Sequence, residues 1–389
     1  MCQLYSPYPV GNGDKGQPSE SPFVRLAVPL SLLPSALAIV AGILVLFGGG
    51  ELFVAGSTAV ALLLGIPQIV IGLTVVAFGT SAPELFVSLI STLQGGEATA
   101  LAASNVVGSN IFNVLVVLGL SALIVPLRVK SRLVRRDLPL LLAVSMALWG
   151  MASGGRISWQ AGLALLVGLV INLVWETRTA REHPEESELE LEDSPSSPVA
   201  AGFKLAAGLL LLVLGSQVLV WGATTAATAL GVSQTLIGLT IVAAGTSMPE
   251  LVTSLVAAYR GKADLAIGNV VGSNLINILL ILGLCGVVSG GEGLALAPVL
   301  VARDLPVMLL TTLVCLPIFW TRGVITRLEG GILVAFYGLY LLEQWLSSSR
   351  SWALDEFRLI TLVVLLPLLL VFFTFQAIRW RQRLRRREG

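Results

Sequence analysis

Charge is scarce in this chain. Asp, Glu, Lys and Arg make up 12% of 389 residues, against about 25% in soluble domains. Histidine occurs once, as His183, and cysteine three times, as Cys2, Cys285 and Cys315. A lone histidine in a charged stretch excludes a His-based metal cluster and His-driven catalysis. Three scattered cysteines are too few for a disulfide framework or a zinc site. No nucleophile–base pair or nucleotide-binding motif is present, so the chain is not expected to be an enzyme. A net charge of +1 gives no field that gathers polyanions, and no nucleic-acid partner is expected. What is abundant is apolar surface: 55% of the residues are hydrophobic and the mean hydropathy is +0.89. That composition belongs to a polytopic helical membrane protein whose partner is the lipid bilayer.

A spanning helix needs roughly 20 mostly apolar residues. The rule predicts spans near 34–62, 67–94, 100–124, 137–153 and 158–176, then 203–230, 233–258, 265–289, 303–320 and 325–346, with an eleventh at 357–379. Residues 1–33 are expected to form a disordered tail. They lack the charged start and cleavage site of a signal peptide. The segment 177–202 carries Glu182, Glu185, Glu186, Glu188, Glu190, Glu192 and Asp193, then Pro195 and Pro198. It cannot bury a core and reads as a solvated hinge between halves 34–176 and 203–346. Binding of regulatory Ca²⁺ is the alternative use of its carboxylates. The region 357–389 is read as an accessory span with a basic tail at the inner leaflet.

Lys and Arg set the expected orientation. With the N-terminus outside, 18 of the 24 basic residues fall in inner loops and the C-terminal tail. The opposite orientation inverts that bias. The chain is therefore expected in the cell (inner) membrane with its C-terminus cytoplasmic.

The sequence is also written twice. GLTVVAFGTSAPELFVSLIST at 72–92 matches GLTIVAAGTSMPELVTSLVAA at 238–258 in 13 of 21 positions. NVVGSNIFNVLVVLGL at 105–120 matches NVVGSNLINILLILGL at 269–284 in 11 of 16. GIPQ at 65–68 echoes GVSQ at 231–234, and RDLP recurs at 136–139 and 303–306. Such self-similarity marks an internal repeat. A five-span unit must enter the membrane from the opposite side the second time. The expected fold is thus an all-α integral membrane protein of two inverted five-helix repeats plus one C-terminal helix, with a site near the midplane between the repeats.

Each repeat places a carboxylate in an apolar helix, Glu84 in GTSAPE and Glu250 in GTSMPE. An intramembrane charge is expensive and points to an ion pathway. Pro83 and Pro249 cannot donate to the carbonyls of Gly79 and Gly245. Thr80, Ser81, Thr246 and Ser247 add hydroxyls. A plain proline kink with back-bonded hydroxyls is the bland explanation of one such motif; its recurrence with the glutamate intact favours a site. Asn105 and Asn269 open the repeated NVVGSN segments and read as amide ligands. Ser109 and Ser273 share their helical face and are accessory candidates. Asn110, Asn113, Asn274 and Asn277 read as interhelical glue. Glu51, in span 1, is either a third acidic ligand or a polar contact joining spans 1 and 6 to the bundle; Gln217 occupies its matching place. Asp137 and Asp304 read as helix-start residues.

Every candidate ligand is an oxygen, which suits a hard cation such as Ca²⁺ with its six to eight flexible oxygen ligands. Two carboxylates neutralise one Ca²⁺. Once emptied, they repel each other in a poorly solvated place and favour uptake of H⁺ or Na⁺. GTS-x-PE with NVVGSN, twice, resembles the cation/Ca²⁺ exchanger superfamily, including the sodium/calcium exchangers, over ten of the eleven spans. The resemblance implies Glu84 and Glu250 as central Ca²⁺ ligands and Thr80 and Thr246 as backbone-carbonyl donors. It implies Ser81, Ser247, Ala77 and Ala243 at flanking Na⁺ sites, and spans 1 and 6 as a sliding pair. The expected activity is Ca²⁺ antiport against Na⁺, with H⁺ as the alternative coupling ion and a cation channel as a distant one. No permanent cofactor is expected.

Overall fold

A computed structural model describes residues 32–96, 98–182, 197–231, 241, 243–348, 353–361 and 363. The tail up to residue 31, the middle of the acidic linker at 183–196, residues 232–240 of the seventh expected span and the eleventh span from 364 onward lie outside the described residues.

The described chain is helical almost throughout. α1 is Leu32–Leu64. A break at Ser81 separates α2, Gln68–Thr80, from α3, Ala82–Gln94. α4, Ala98–Ile124, leads to the short strand β1, Leu127–Arg128. A π-helical turn, Leu133–Asp137, enters α5, Leu138–Ala152. β2, Arg156–Ile157, precedes α6, Trp159–Glu182. The second half opens with α7, Pro198–Ala229. α8, Ala243–Thr246, α9, Met248–Tyr259, and α10, Ala263–Val288, follow. β3, Leu294–Ala295, and a π-helical turn, Leu300–Asp304, lead into α11, Leu305–Arg322. β4, Val324–Ile325, α12, Arg327–Ser348, and α13, Ala353–Ile360, complete it.

Local chemistry explains several boundaries. Gly65 at φ +62° and Gly231 at φ +81° stand just beyond α1 and α7, where a left-handed residue closes a helix. This accounts for the glycine in both GIPQ and GVSQ. The Ser197 hydroxyl caps α7 by accepting from the Ala200 amide at 3.2 Å, with Pro198 in the first turn. α6 runs on through Glu182 and α7 begins at Pro198. Both helices therefore enter the stretch 177–202 that composition assigns to the linker.

Among the described residues six helices are long and apolar enough to cross a membrane, and the pair α2/α3, bent by 47°, makes a seventh. α5 has 15 residues, short of a full crossing on its own. α4 and α10 are buried along most of their length, whereas the apolar windows of α1, α6 and α7 are only 22% buried. The exposed faces carry Leu33, Leu37, Leu44, Phe47, Val170 and Trp221, an apolar coat suited to lipid.

α1 and α7 pack antiparallel along their length. Gly42, Gly49 and Gly56 face one side of the seam, and Gly208, Gly215 and Gly222 the other. A Cβ on Gly56 would stand 2.5 Å from the Leu205 amide nitrogen, and one on Gly42 2.7 Å from that of Leu219. Only glycine permits backbones this close.

Two antiparallel ribbons tie the halves together. β1 pairs with β4, Leu127 opposite Ile325, and β2 with β3, Ile157 opposite Leu294. Under the duplication β1 matches β3 and β2 matches β4, so each ribbon is the counterpart of the other. The RDLP motifs behave alike. Asp137 and Asp304 precede α5 and α11 but make no side-chain cap, which corrects the helix-start expectation. Their carboxylates lie among arginines instead. Arg136 pairs with Glu176 at 2.6 Å and lies 3.6 Å from Asp137, and Arg132 also bonds Glu176. Arg303 pairs with Asp304 at 2.7 Å and with Glu343 at 3.0 Å. A buried charge needs such a partner more than a helix terminus needs a cap.

The duplication fails in one region. α1 packs on α9, with Gly50 against Val252 and Val256. α7 makes no comparable contact with α3 among the described residues. Val252 is 5% exposed while its counterpart Phe86 is 64% exposed; Val256 is 3% exposed and its counterpart Ile90 53%.

Candidate ion-binding site

Each GTS-x-PE segment breaks its helix at the serine. Ser81 has φ −79°, ψ 6°, and Ser247 has φ −89°, ψ 11°. Both values fall near the bridge region between helical and extended backbone. Pro83 and Pro249 take the second helical position beyond the break, where a missing amide hydrogen costs nothing. Glu84 and Glu250 therefore sit in the first turns of α3 and α9, where the helix dipole favours negative charge.

Both glutamates are fully buried, at 0% exposure, and their bonds cross between the halves. Ser81 Oγ donates to Glu250 Oε1 at 3.0 Å, and Ser247 Oγ donates to Glu84 Oε1 at 2.9 Å. Thr80 also reaches Glu250, and Thr246 reaches Glu84. Each carboxylate thus faces the Thr-Ser pair of the opposite motif. Glu84 Oε2 and Glu250 Oε2 have no hydrogen-bond partner. Among the described residues no Lys or Arg pairs with either glutamate. Two buried anionic groups with a spare oxygen each are unstable as they stand and call for a cation or protons.

The amides divide differently from the sequence expectation. Asn105 Nδ2 donates to the Glu84 carbonyl at 3.4 Å and to Ser88 Oγ at 3.1 Å. Asn269 Nδ2 donates to the Glu250 carbonyl at 3.3 Å and to Ser254 Oγ at 3.0 Å, while its Oδ1 accepts from Thr80 Oγ1 at 3.1 Å. Both turn their nitrogen toward the glutamate backbone and brace it, which leaves the Oδ1 of Asn105 with its acceptor capacity. Free oxygens lie one and two turns further on. Asn113 Oδ1, Asn277 Oδ1 and Ser109 Oγ are buried without a partner. Asn113 Nδ2 is held by Asn274 Oδ1 at 3.1 Å and Asn277 Nδ2 by Asn110 Oδ1 at 3.0 Å. Asn110 and Asn274 exchange side-chain-to-carbonyl bonds of 3.2 Å. A π-helical turn starts at Asn113 and packs against α9; another starts at Asn277 and packs against α3. The signal that could have found these two asparagines is their place four residues after Ser109 and Ser273, on the face of Asn105 and Asn269.

The remaining candidates scatter. Ala77 is buried and its carbonyl accepts from the Ser81 amide at 3.0 Å. Ala243 begins α8. Ser273 Oγ lies 3.5 Å from Thr80 Oγ1. The Gly245 carbonyl, freed by Pro249, accepts from Ser216 Oγ of α7 at 2.5 Å; the matching position in α1 is Gly50. Glu51 is not part of the cluster. Its carboxylate bonds the guanidinium of Arg260, beyond α9, at 2.6 Å, which corrects its candidacy as a third ligand. A half-exposed arginine within reach gives the acid a partner outside the buried site.

Buried, crossed carboxylates in broken helices of a helical membrane bundle define an ion-transporter type of site. The comparisons agree. The family model described as sodium/calcium exchanger protein matches residues 34–178 and 201–346. Inner membrane protein YrbG of Escherichia coli is 36% identical, covering 81% of this chain and 98% of its own length. Sodium/calcium exchanger MaX1 of Methanosarcina acetivorans is 31% identical, covering 78% of this chain and 97% of its own. A solved structure of the sodium-calcium exchanger NCX_Mj superposes with a TM-score of 0.68 at 31% identity, over 80% of this chain and 99% of that one. The chain belongs to the sodium/calcium exchanger family, and it is a multi-pass membrane protein of the cation/Ca²⁺ exchanger superfamily.

Proposed function

We propose that the protein is a secondary antiporter that exchanges Ca²⁺ for Na⁺ by alternating access. The observation that carries the reading is the crossed pair of bonds, Ser81 to Glu250 and Ser247 to Glu84. They bring one carboxylate from each half to a common buried place and leave one oxygen of each unspent. Ca²⁺ would be held by Glu84 and Glu250, with Thr80, Thr246, Asn113 and Asn277 supplying neutral oxygens. Ser81, Ser247, Ala77, Ala243, Ser109 and Ser273 flank this centre and suit the coupling ions. Asn105 and Asn269 brace the glutamate backbones.

The architecture proposed is two inverted repeats of five spans, 34–176 and 203–346, with an accessory span from 357. The N-terminus lies outside and the C-terminus in the cytoplasm. The ribbons support this topology. β1 and β4 fall in expected inner loops and β2 and β3 in expected outer loops, so each pairing joins loops on one side. The unequal packing of α1 on α9 and of α7 on α3 supports alternating access. Near-identical halves in unequal environments describe one of two end states, and exchanging the environments produces the other. In the orientation proposed, the state described is closed toward the cytoplasm.

H⁺/Ca²⁺ antiport is the second reading. It is favoured by a site whose only charged groups among the described residues are two glutamates, which two protons neutralise. Proteoliposomes given separately a Na⁺ gradient at equal pH and a pH gradient without Na⁺ decide between them. Radioactive Ca²⁺ uptake driven by the Na⁺ gradient alone is the expected result. Uptake driven by pH alone replaces Na⁺ with H⁺, and Ca²⁺ entry without either gradient describes a channel.

A further inference from the structure

The two halves differ in charge at the contact that distinguishes the two end states. On the α1 side, Glu51 holds Arg260 through bonds of 3.0 and 2.6 Å. One turn beyond α9, Lys262 Nζ donates to Thr58 Oγ1 at 3.0 Å. Both links run from α1, one of the two seam helices, to the segment that follows the Glu250 helix. In the other half the counterparts of Glu51 and Arg260 are Gln217 and Gln94, and those of Thr58 and Lys262 are Thr224 and Gly96. Exchanging the environments of the halves would seat α7 on α3 and lift α1 from α9. The new contact would then oppose two neutral amides, and a threonine to a glycine. No charge pair replaces the one given up.

We infer that Glu51 and Arg260 form a one-sided latch that favours the conformation closed at the Arg260 end when the site holds no ion. The inference rests on the alternating-access reading above. The pair is partly exposed, at 43% for Glu51 and 55% for Arg260, so its effect is modest. An exposed pair biases a two-state equilibrium by roughly two- to fivefold. Such a bias matters where the two states are close in free energy, because it sets the fraction of carriers whose site faces each side. The latch thereby lowers the apparent affinity for ions arriving from the Arg260 side and spares those arriving from the other.

The test uses the full chain in lipid nanodiscs, with Cys2, Cys285 and Cys315 replaced and spin labels at Leu93 and Leu230. These residues are 68% and 69% exposed, at the ends of α3 and α7. Distances are recorded by electron double resonance in chelator without Na⁺. The expected wild-type pattern is two populations, the longer one dominant. Glu51→Gln and Arg260→Gln should each move the ratio toward the shorter distance by about two- to fivefold. The double exchange Glu51→Arg with Arg260→Glu should restore it. An unchanged ratio in the single variants, or a double exchange that behaves like them, overturns the latch while leaving alternating access intact. A single population under every ion condition overturns alternating access itself and the latch with it.

Discussion

Glu84 and Glu250 are carboxyl groups that no basic side chain among the described residues meets. Each accepts from the opposite serine and keeps one oxygen free. Neutralising either should remove half the charge that holds a divalent ion. Glu84→Gln and Glu250→Gln are each expected to lower Ca²⁺ uptake into proteoliposomes by about a hundredfold or more, the scale set by breaking a buried charge pair. The variants should keep their helical circular dichroism, so that near-normal uptake in either removes that residue from the site. The asparagines separate by role. Asn113→Ala and Asn277→Ala should weaken Ca²⁺ affinity, read by calorimetric titration. Asn105→Ala should instead lower the thermal unfolding midpoint, having lost bonds of about 1–2 kcal/mol, with affinity less affected. Sequence made the glutamates legible because a carboxylate beside a proline in an apolar run has few structural uses. The division among the amides was not legible, because an asparagine offers a donor end and an acceptor end. Which end faces the glutamate depends on Ser88, Ser254 and Thr80, and all three of these partners lie on other helices.

At the scale of the helix, proline and glycine do separate work. Pro83 and Pro249 set the breaks at Ser81 and Ser247. The glycines spaced seven apart in α1 and α7 set the seam. Gly56→Ala would place a methyl group 2.5 Å from the Leu205 nitrogen, and overpacking of this kind costs about 1–3 kcal/mol. Gly48→Ala meets nothing within 4 Å and should be neutral. Thermal unfolding of the two variants in detergent checks the contrast; equal midpoints would contradict the seam. Among the described residues the helices lie on the apolar runs that hydropathy marks, since a span needs only such a run of sufficient length. The ends of α6 and α7 were not. Glu182 and Pro198 look like linker by composition, yet one continues a helix of good formers and the other starts a capped one.

For the whole molecule, the internal duplication implied two like halves, and the crossed serine–glutamate bonds join them: each half supplies a hydroxyl to the other's carboxylate. The ribbons β1–β4 and β2–β3 repeat that exchange at the two ends. If the coupling ion is Na⁺, removing Na⁺ from the loaded side should abolish Ca²⁺ uptake at constant pH, and transport of three Na⁺ per Ca²⁺ should generate a membrane potential readable with a voltage-sensitive dye. An electroneutral exchange that persists without Na⁺ would assign the coupling to protons.

The sequence by itself determined the membrane class, the duplicated plan and the two carboxylates, because hydropathy, self-similarity and an intramembrane charge are properties of a chain read along its length. Only the tertiary structure decided which oxygens are left unpaired, that Glu51 bonds Arg260, and that one half is packed where its twin is open. Those outcomes depend on partners more than 160 residues away, and on a choice between two packings that a repeat pattern does not make.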